Sequence, residues 1–268
     1  MTPEALSFPN FNSKHGHDAV FSPQDAIAHF MPGDGVDLPQ AAIMTYQGLI
    51  AEQMRECGAR RLEELEAVLP RQWGSLWVVD RPERKPVAVV NGFGIGAPTA
   101  VIVLEVLIAL GVKKVINMGT AGCLQPGAGF GDMVVCNGAV RDEGVSHHYL
   151  PSAKFAYPAP ALTAALAQGL TERGLTFGTG TTWTIDALFR ETVAEARSYQ
   201  AEGVLTVDME ASALFSVAEF READVASAFV ISDHVLADQQ WRQAFTGNEV
   251  RDATVGLLES AIDVLGRQ

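Results

Sequence analysis

The sequence predicts an α/β protein, a single domain in which helices flank a mixed central β-sheet. Its length supports one domain, since 268 residues with 48% hydrophobic side chains can bury a large core. Short apolar runs typical of buried strands alternate with segments of helical periodicity. No repeat and no linker-like tract divides the chain. We therefore expect one domain over residues 41–268, preceded by an irregular arm over residues 1–40 that is rich in Pro, Gly, Asp and His.

The apolar patterns and the turn residues between them place the individual elements. Strands are expected, in chain order, at 41–46, 75–80, 87–91, 113–118, 132–140, 204–208 and 225–232. Helices are expected at 49–69, from the glycine-rich turn GFGIGAPTA (92–100) to Leu110, and at 160–174, 190–201, 210–222 and 247–266. Two glycine-rich turns interrupt the pattern, GFGIGAP (92–98) before the second of these helices and GTAG (119–122) after the fourth strand.

Composition excludes several classes of protein. Nineteen basic residues against 32 acidic ones give a net charge of -13, which would repel the phosphate backbone of nucleic acid. Cys57, Cys123 and Cys136 are widely spaced and form no CxxC pair, so we expect neither disulfides nor a metal site, and a reducing cytoplasm as the location. The N-terminus lacks the apolar core of a signal peptide, and no apolar run is long enough to span a membrane.

Glycines and polar side chains cluster where predicted strands end. Gly94 lies in the first glycine-rich turn, and the second, NMGTAG (117–122), contains Asn117 and Thr120. Turns at the ends of adjacent parallel strands face one crevice, where backbone N–H groups can hold an anion or sugar oxygens. Three more segments carry polar groups beside predicted strands: TTWTID (181–186), TVDMEAS (206–212) and FVISDHV (229–235). The sequence therefore predicts a ligand site at this edge of the sheet.

The ordered set NMGTAG, VDMEAS and VISD resembles the nucleoside phosphorylase superfamily, which includes hexameric purine nucleoside phosphorylases, uridine phosphorylases and methylthioadenosine nucleosidases. The resemblance spans about residues 41–266. It implies cleavage of the N-glycosidic bond of a nucleoside, purine favoured, giving free base and pentose 1-phosphate, as in purine salvage. It also implies a homo-oligomer, a dimer or a trimer of dimers, and no cofactor beyond phosphate as a co-substrate.

The resemblance assigns roles to residues of the sugar and base subsites. Met209 and Glu210 match the segment that holds the ribose hydroxyls, where a carboxylate can also stabilise the positive charge that develops on the sugar. Ser232 and Asp233 match the pair that binds and protonates N7 of a purine, with Arg242 as the partner of the aspartate. Three further residues are expected to contact the base, Trp183 by stacking on it and Phe189 and Arg190 by lining its pocket. Asp208 is expected to cap the helix that begins near Met209.

The acceptor subsite departs from the phosphorylase pattern. Phosphorylases of this family carry a PGDPxR loop after the first strand, whereas this chain has MTYQGLI (44–50), with Tyr46 and Ile50 at the glycine and arginine positions. A second phosphate arginine is replaced by Asn117, as in the hydrolytic nucleosidases, while Thr120, a further phosphate ligand, is retained. The first loop also lacks the acid that activates water in those nucleosidases. Phosphate, held by an arginine from a partner subunit such as Arg71, and water both stay open as acceptors.

Two other hypotheses compete with an enzyme that cleaves N-glycosidic bonds. A nucleoside-binding protein without turnover would need no proton donor at the leaving group, so Asp233 together with Glu210 favours an enzyme. A dinucleotide-dependent oxidoreductase is disfavoured, because no acidic residue follows a GxGxxG turn at the expected distance of about 20 residues. The segment VRDEGVSHHYLP (140–151) resembles one in uridine phosphorylases, but the sequence assigns it no role.

Overall fold

The computed structural model describes residues 8, 9, 11, 14–30, 37–63, 74–236 and 240–267. The strands are β1 (Ala41–Thr45), β2 (Arg60–Arg61), β3 (Ser75–Val79), β4 (Val87–Asn91), β5 (Lys114–Cys123), β6 (Met133–Asp142), β7 (Phe155–Ala156), β8 (Phe177–Ile185), β9 (Thr206–Asp208), β10 (Asp224–His234) and β11 (Arg242–Gln243). The helices are α1 (Pro23–Phe30), α2 (Leu49–Glu56), α3 (Ala97–Ala109), α4 (Ser146–Tyr149), α5 (Pro160–Glu172), α6 (Val193–Ala201), α7 (Ala211–Arg221) and α8 (Asn248–Arg267).

The strands form one mixed sheet in the order β11-β10-β6-β8-β9-β5-β1-β4-β3-β2, with β7 beside β6. Strands β4, β1, β5 and β10 run parallel, whereas β6 is antiparallel to β10 and β9 is antiparallel to β5. Because β10 pairs with both β5 and β6, the path through β6, β8, β9 and β5 closes on itself. The predicted α/β class with a mixed sheet flanked by helices is confirmed.

Two apolar layers cover the faces of the sheet. Successive side chains of a strand point to opposite faces. In β4, Ala88 and Val90 accordingly belong to one cluster with α3 and α7, and Val87 and Val89 to another with α5 and α8. Burying both faces leaves the ends of the strands as the places where polar side chains can meet a ligand.

The prediction of a second glycine-rich turn is wrong. Residues 119–122 continue strand β5, which ends at Cys123. Their backbone pairs with β10, and that of Gly122 also pairs with β9. The glycines make room for neighbours: a Cβ on Gly119 would lie 3.0 Å from the Tyr46 ring, and one on Gly122 only 2.8 Å from Val235. Close packing, not a turn, therefore explains these glycines.

Two further predictions are corrected at the N-terminal side. The helix expected at 49–69 ends at Glu56, and Gly58 adopts a φ of 73° that continues no helix. Within the arm predicted to be irregular, α1 forms a helix that contacts α3. Nearby, His15 Nε2 lies 2.9 Å from the carbonyl oxygen of His147, so this part of the arm rests on its own chain. The division into arm and domain stays a prediction. Of the described helices, none is both long and apolar enough to cross a membrane.

Candidate active site

The first contact of the site joins two predicted motifs. Glu210 follows β9, the glycine-rich turn follows β4, and Glu210 Oε1 accepts a hydrogen bond of 2.6 Å from the Gly96 backbone N–H. Gly94 and Gly96 have φ values of 96° and 98°, a region that favours glycine, so this path of the turn depends on them. The structure thus brings VDMEAS and GFGIGAP together at one edge of the sheet.

Glu210 lies beside a second carboxyl group, and the two share a buried environment. Burial raises the pKa of Glu210 to about 8, and the negative charge of Asp208 adds to the effect. Asp208 accepts four hydrogen bonds, from the backbone N–H groups of Glu210 and Ala211 and from the hydroxyls of Thr182 and Thr184. Hydrogen bonds of this kind favour the ionised form. Burial nevertheless raises the pKa of Asp208 as well, so the two carboxyl groups do not both ionise readily near neutral pH.

The same hydrogen bonds define what Asp208 does. The N-cap position of α7 is Glu210, which makes no side-chain cap, so the prediction of Asp208 as the N-cap residue is shifted by two positions. Its carboxylate still accepts the N–H of Ala211, the first helical residue, at 2.7 Å. Asp208 therefore anchors the start of α7 and the backbone of Glu210. Met209, between the two acids, is half-buried.

Asp233 lies at the end of β10 and is held by two donors. The Ser232 hydroxyl donates to Oδ1 and the Trp241 indole N–H donates to Oδ2, each at 2.9 Å. A Cβ on Gly122 would lie 3.2 Å from Oδ2, which packs this carboxylate against β5. The predicted adjacency of Ser232 and Asp233 is thus a direct hydrogen bond.

Arg242 does not pair with Asp233, contrary to the prediction. It lies in β11 opposite His234, is exposed, and places its guanidinium 5.6 Å from the centroid of the Phe130 ring. The preceding residue, Trp241, makes the contact instead. Successive side chains of an extended segment point to opposite faces of the sheet, so a shift of one residue changes which side chain meets Asp233. This explains why the resemblance implied Arg242 and not its neighbour Trp241.

Trp183 is a core residue in this structure, and its assignment to base stacking is corrected. Its side chain has 0% exposure and packs with Val140, Val207 and Tyr199. The indole N–H donates to Asp142 Oδ2 at 2.8 Å. A side chain without exposed surface offers no ring face to a base. Phe189 and Arg190, which follow β8, are both exposed, Phe189 by 96%, so in this conformation they do not line an enclosed pocket.

Tyr46 follows β1, in the loop where the resemblance places a phosphate site. Its hydroxyl donates a hydrogen bond of 2.7 Å to Asn117 Oδ1, and Asn117 Nδ2 donates to the Ser227 hydroxyl at 3.1 Å. The ring lies over Gly119 and meets Phe93 edge-on with the ring centroids 5.0 Å apart. Burial raises the pKa of Tyr46, and the charge of Glu210 raises it further, so the phenol stays neutral.

Three other residues were predicted in the acceptor region, and the structure describes two of them. Ile50 is fully buried in the core, and Thr120 is half-buried in β5 opposite Val230 of β10. Arg71 lies outside the described residues.

Glu191 is an acidic residue with a raised pKa that the sequence predictions did not include. It is half-buried between a 3-10 helix (Leu188–Arg190) and α6, and its pKa is raised to about 7 by burial and by the charge of Asp233. Its place directly after a strand-end segment was the available signal. Within the described part of the chain, no group of three or more His, Cys, Asp or Glu side chains could hold a metal ion.

The segment 140–151 has a structural explanation. The Arg141 guanidinium donates to the Ser146 hydroxyl and to the carbonyls of Leu150 and Pro151 at 2.7–3.1 Å. Glu143 accepts hydrogen bonds from the Ser146 N–H and from the Ser212 hydroxyl, both at 2.9 Å. These contacts fix the loop against α7, behind Glu210.

Comparison with known proteins gives one consistent family. The model of the phosphorylase superfamily matches residues 35–263. A DeoD-type purine nucleoside phosphorylase of Bacillus cereus is 30% identical over 183 residues, which cover 67% of this chain and 75% of the relative. A uridine phosphorylase structure from Vibrio fischeri superimposes with a TM-score of 0.69 at 26% identity, covering 85% of this chain and 90% of its own. A purine nucleoside phosphorylase from Toxoplasma gondii in complex with immucillin-H, at 21% identity, has a TM-score of 0.74 over 86% and 91% of the two chains and supports the fold.

Proposed function

Because the chain belongs to the phosphorylase superfamily, we propose that it cleaves the N-glycosidic bond of a nucleoside, with purine nucleosides as the favoured substrates. The observation that carries the proposal is that Glu210 and Asp233, matched to the sugar and base subsites, are both largely buried side chains at the strand ends that frame one edge of the sheet. Neither is needed to complete a hydrophobic core.

At the sugar end, Glu210 accepts hydrogen bonds from the ribose hydroxyls once its carboxyl group is ionised. One donor, the Gly96 N–H, already holds Oε1, so the remaining lone pairs can face the sugar. Positive charge grows on the ribose as the bond to the base lengthens. A fixed carboxylate in a buried site stabilises that charge more strongly than water does.

At the base end, Asp233 delivers the proton that a departing purine needs. The carboxyl group, which donates in its protonated form, is oriented by Ser232 and Trp241, and the residue is 8% exposed. A non-catalytic nucleoside-binding protein would have no use for a proton donor held in this way.

Water is the acceptor that these side chains favour. Tyr46, in the loop where the resemblance places phosphate, donates a hydrogen bond to Asn117, which offers an amide where a bidentate cation would be required. The charges that raise the pKa of Tyr46 and of Glu210 come from acids, Asp208, Glu210 and Asp186. A dianion would be costly to desolvate among them. Phosphorolysis is the second candidate, and the purine nucleoside phosphorylase relatives at 30% identity favour it.

Product identity tests the acceptor. Incubated with a panel of purine and pyrimidine nucleosides, the protein should release base and free sugar in phosphate-free buffer, and added phosphate should leave the rate unchanged, because no cation of the described site binds it. Base release is followed by ultraviolet absorbance and the sugar by mass spectrometry. Sugar 1-phosphate as the only product would instead establish phosphorolysis. Binding of nucleosides without any base release would support a binding protein.

Assembly is a second prediction. We propose that the chain forms at least a dimer, as the resemblance implies, since the arm exposes Phe11 by 63% and Phe21 by 71%. A partner would cover these rings and is the route by which an arginine could enter the acceptor region. Light scattering should give a mass of at least twice 28.7 kDa. A monomer that cleaves nucleosides would contradict both points.

A further inference from the structure

Trp241 differs from the other described tryptophans in its exposure. Trp77 and Trp183 are buried, whereas Trp241 is 58% exposed, although its indole N–H donates to Asp233 Oδ2 at 2.9 Å. The nearby Phe245, whose ring centroid lies 6.3 Å from that of the indole, is exposed as well. An indole that is tied by its polar N–H and leaves much of its apolar surface open is typical of a binding surface.

The backbone around Trp241 is fixed to the end of β10. Gln243 of β11 pairs with Asp233. The Ala244 N–H donates to the Ser232 carbonyl oxygen at 2.7 Å. Alternation along the chain places the side chain two residues before Gln243 diagonal to Asp233 and on the same face of the sheet, a distance that an aromatic side chain can bridge. The contact of Trp241 with Asp233 therefore follows from the register of β11, and the indole has a defined position.

A base that receives its proton from Asp233 must lie close to this indole. The carboxyl group and the ring nitrogen that it protonates are joined by a hydrogen bond of about 2.6–3.2 Å. The indole nitrogen of Trp241 lies 2.9 Å from Oδ2 of the same carboxyl group. Two partners of one carboxyl group are about 4–7 Å apart, so the ring systems to which they belong are neighbours.

We propose that Trp241 contacts the base directly, and that its indole ring, packed against the base, gives the site a preference for purines. This role rests on the proposed function. A two-ring purine covers more of an indole than a one-ring pyrimidine does, and it therefore gains more from the contact. The N–H has a separate task, since it orients the carboxyl group of Asp233 without the positive charge of an arginine. A positive charge beside a carboxyl group favours the ionised form, which has no proton to give. Trp241 is thus a specificity-determining residue for the base and a positioning residue for Asp233.

Two variants separate the ring from the N–H, and circular dichroism checks that both fold. Trp241→Phe keeps an aromatic ring and removes the donor, so kcat for inosine should fall about 10-fold while KM changes little. Cleavage of p-nitrophenyl riboside by this variant should be nearly unchanged, because that leaving group needs no proton. Trp241→Gln keeps an N–H donor and removes the ring, so KM for inosine should rise about 10-fold. Arg242→Gln is the matched control, because it changes the next side chain, which lies over the Phe130 ring, and it should behave as the wild type.

Tryptophan fluorescence tests the contact without turnover, and it separates this role from the proposed function. The chain has four tryptophans, so the emission of Trp241 is obtained as the difference between the wild type and Trp241→Phe. Hypoxanthine should quench this difference emission at a lower concentration than uracil does, and calorimetry should show about 10-fold weaker binding of hypoxanthine to Trp241→Gln.

Three results would overturn the role of Trp241: quenching that Trp241→Phe leaves unchanged, equal titrations with the two bases, or an equal loss on inosine and p-nitrophenyl riboside in Trp241→Phe. If hypoxanthine quenches Trp241 but the wild type cleaves no nucleoside, the proposed function fails and the base contact stands. If the wild type cleaves inosine and both Trp241 variants keep its kinetics, the enzyme stands and the base contact fails.

Discussion

Replacing Glu210 with glutamine is expected to lower turnover of a purine nucleoside about 10²- to 10³-fold while leaving the fold intact. Glutamine keeps an oxygen that can accept the Gly96 N–H, so the contact between α7 and the glycine-rich turn survives. It lacks the negative charge that stabilises the ribose in the transition state. The loss should appear in kcat, because the interaction strengthens as the glycosidic bond breaks.

Steady-state kinetics with circular dichroism as a check on folding measures the effect. Glu219→Gln, an exposed substitution near the other end of α7, is the matched control and should retain wild-type turnover. Near-wild-type turnover in Glu210→Gln would remove Glu210 from the sugar subsite.

The same variant should also change the pH dependence. Since the pKa of Glu210 is about 8 and the ionised form is required, kcat/KM of the wild type should rise as pH approaches 8, and Glu210→Gln should lack this limb. The pH dependence of stability has the opposite sign. Because the pKa of Glu210 is raised from 4.5, the fold becomes less stable as pH rises to about 8. Glu210→Gln should thus melt above the wild type at pH 9 and not at pH 4.

The fold was predictable to the extent that local patterns determine it. The apolar runs of β4 and β10 and the periodicity of α8 appear directly in the sequence, and their places agree with the structure to within a few residues. The strand at 119–122 was not predictable in this way, because glycine occurs both in turns and in closely packed strands. Only the packing of Tyr46 and Val235 into the space above Gly119 and Gly122 distinguishes the two.

The site was predictable where a residue is fixed by its own strand end and not where it depends on a neighbour from elsewhere. Ser232 and Asp233 are adjacent in sequence, so their hydrogen bond follows from position. The partner of Asp233 is set by the register of β11, and there the resemblance implied Arg242, whereas the structure has Trp241. Trp183 fits a base pocket by composition but lies in the core, where Asp142 satisfies its N–H. Both the partner of Asp233 and the core position of Trp183 depend on tertiary packing, which local sequence patterns do not reveal.

Asp233→Asn is expected to reduce cleavage of purine nucleosides about 10²- to 10⁴-fold and to affect p-nitrophenyl riboside much less. Asparagine is nearly isosteric and can still accept the Ser232 hydroxyl, so the end of β10 should keep its conformation. It cannot deliver a proton. A purine anion is a poor leaving group and depends on that proton, whereas nitrophenolate leaves without one, so the ratio of the two losses measures protonation directly.

Asp224→Asn provides the control for this prediction, because it makes the same replacement at the exposed first residue of the same strand, at the opposite end of the sheet. It should leave both substrates unaffected. Equal losses on both substrates in Asp233→Asn would identify a structural aspartate, one that only holds Ser232 and Trp241 in place. A selective loss on purines would instead assign the proton to Asp233.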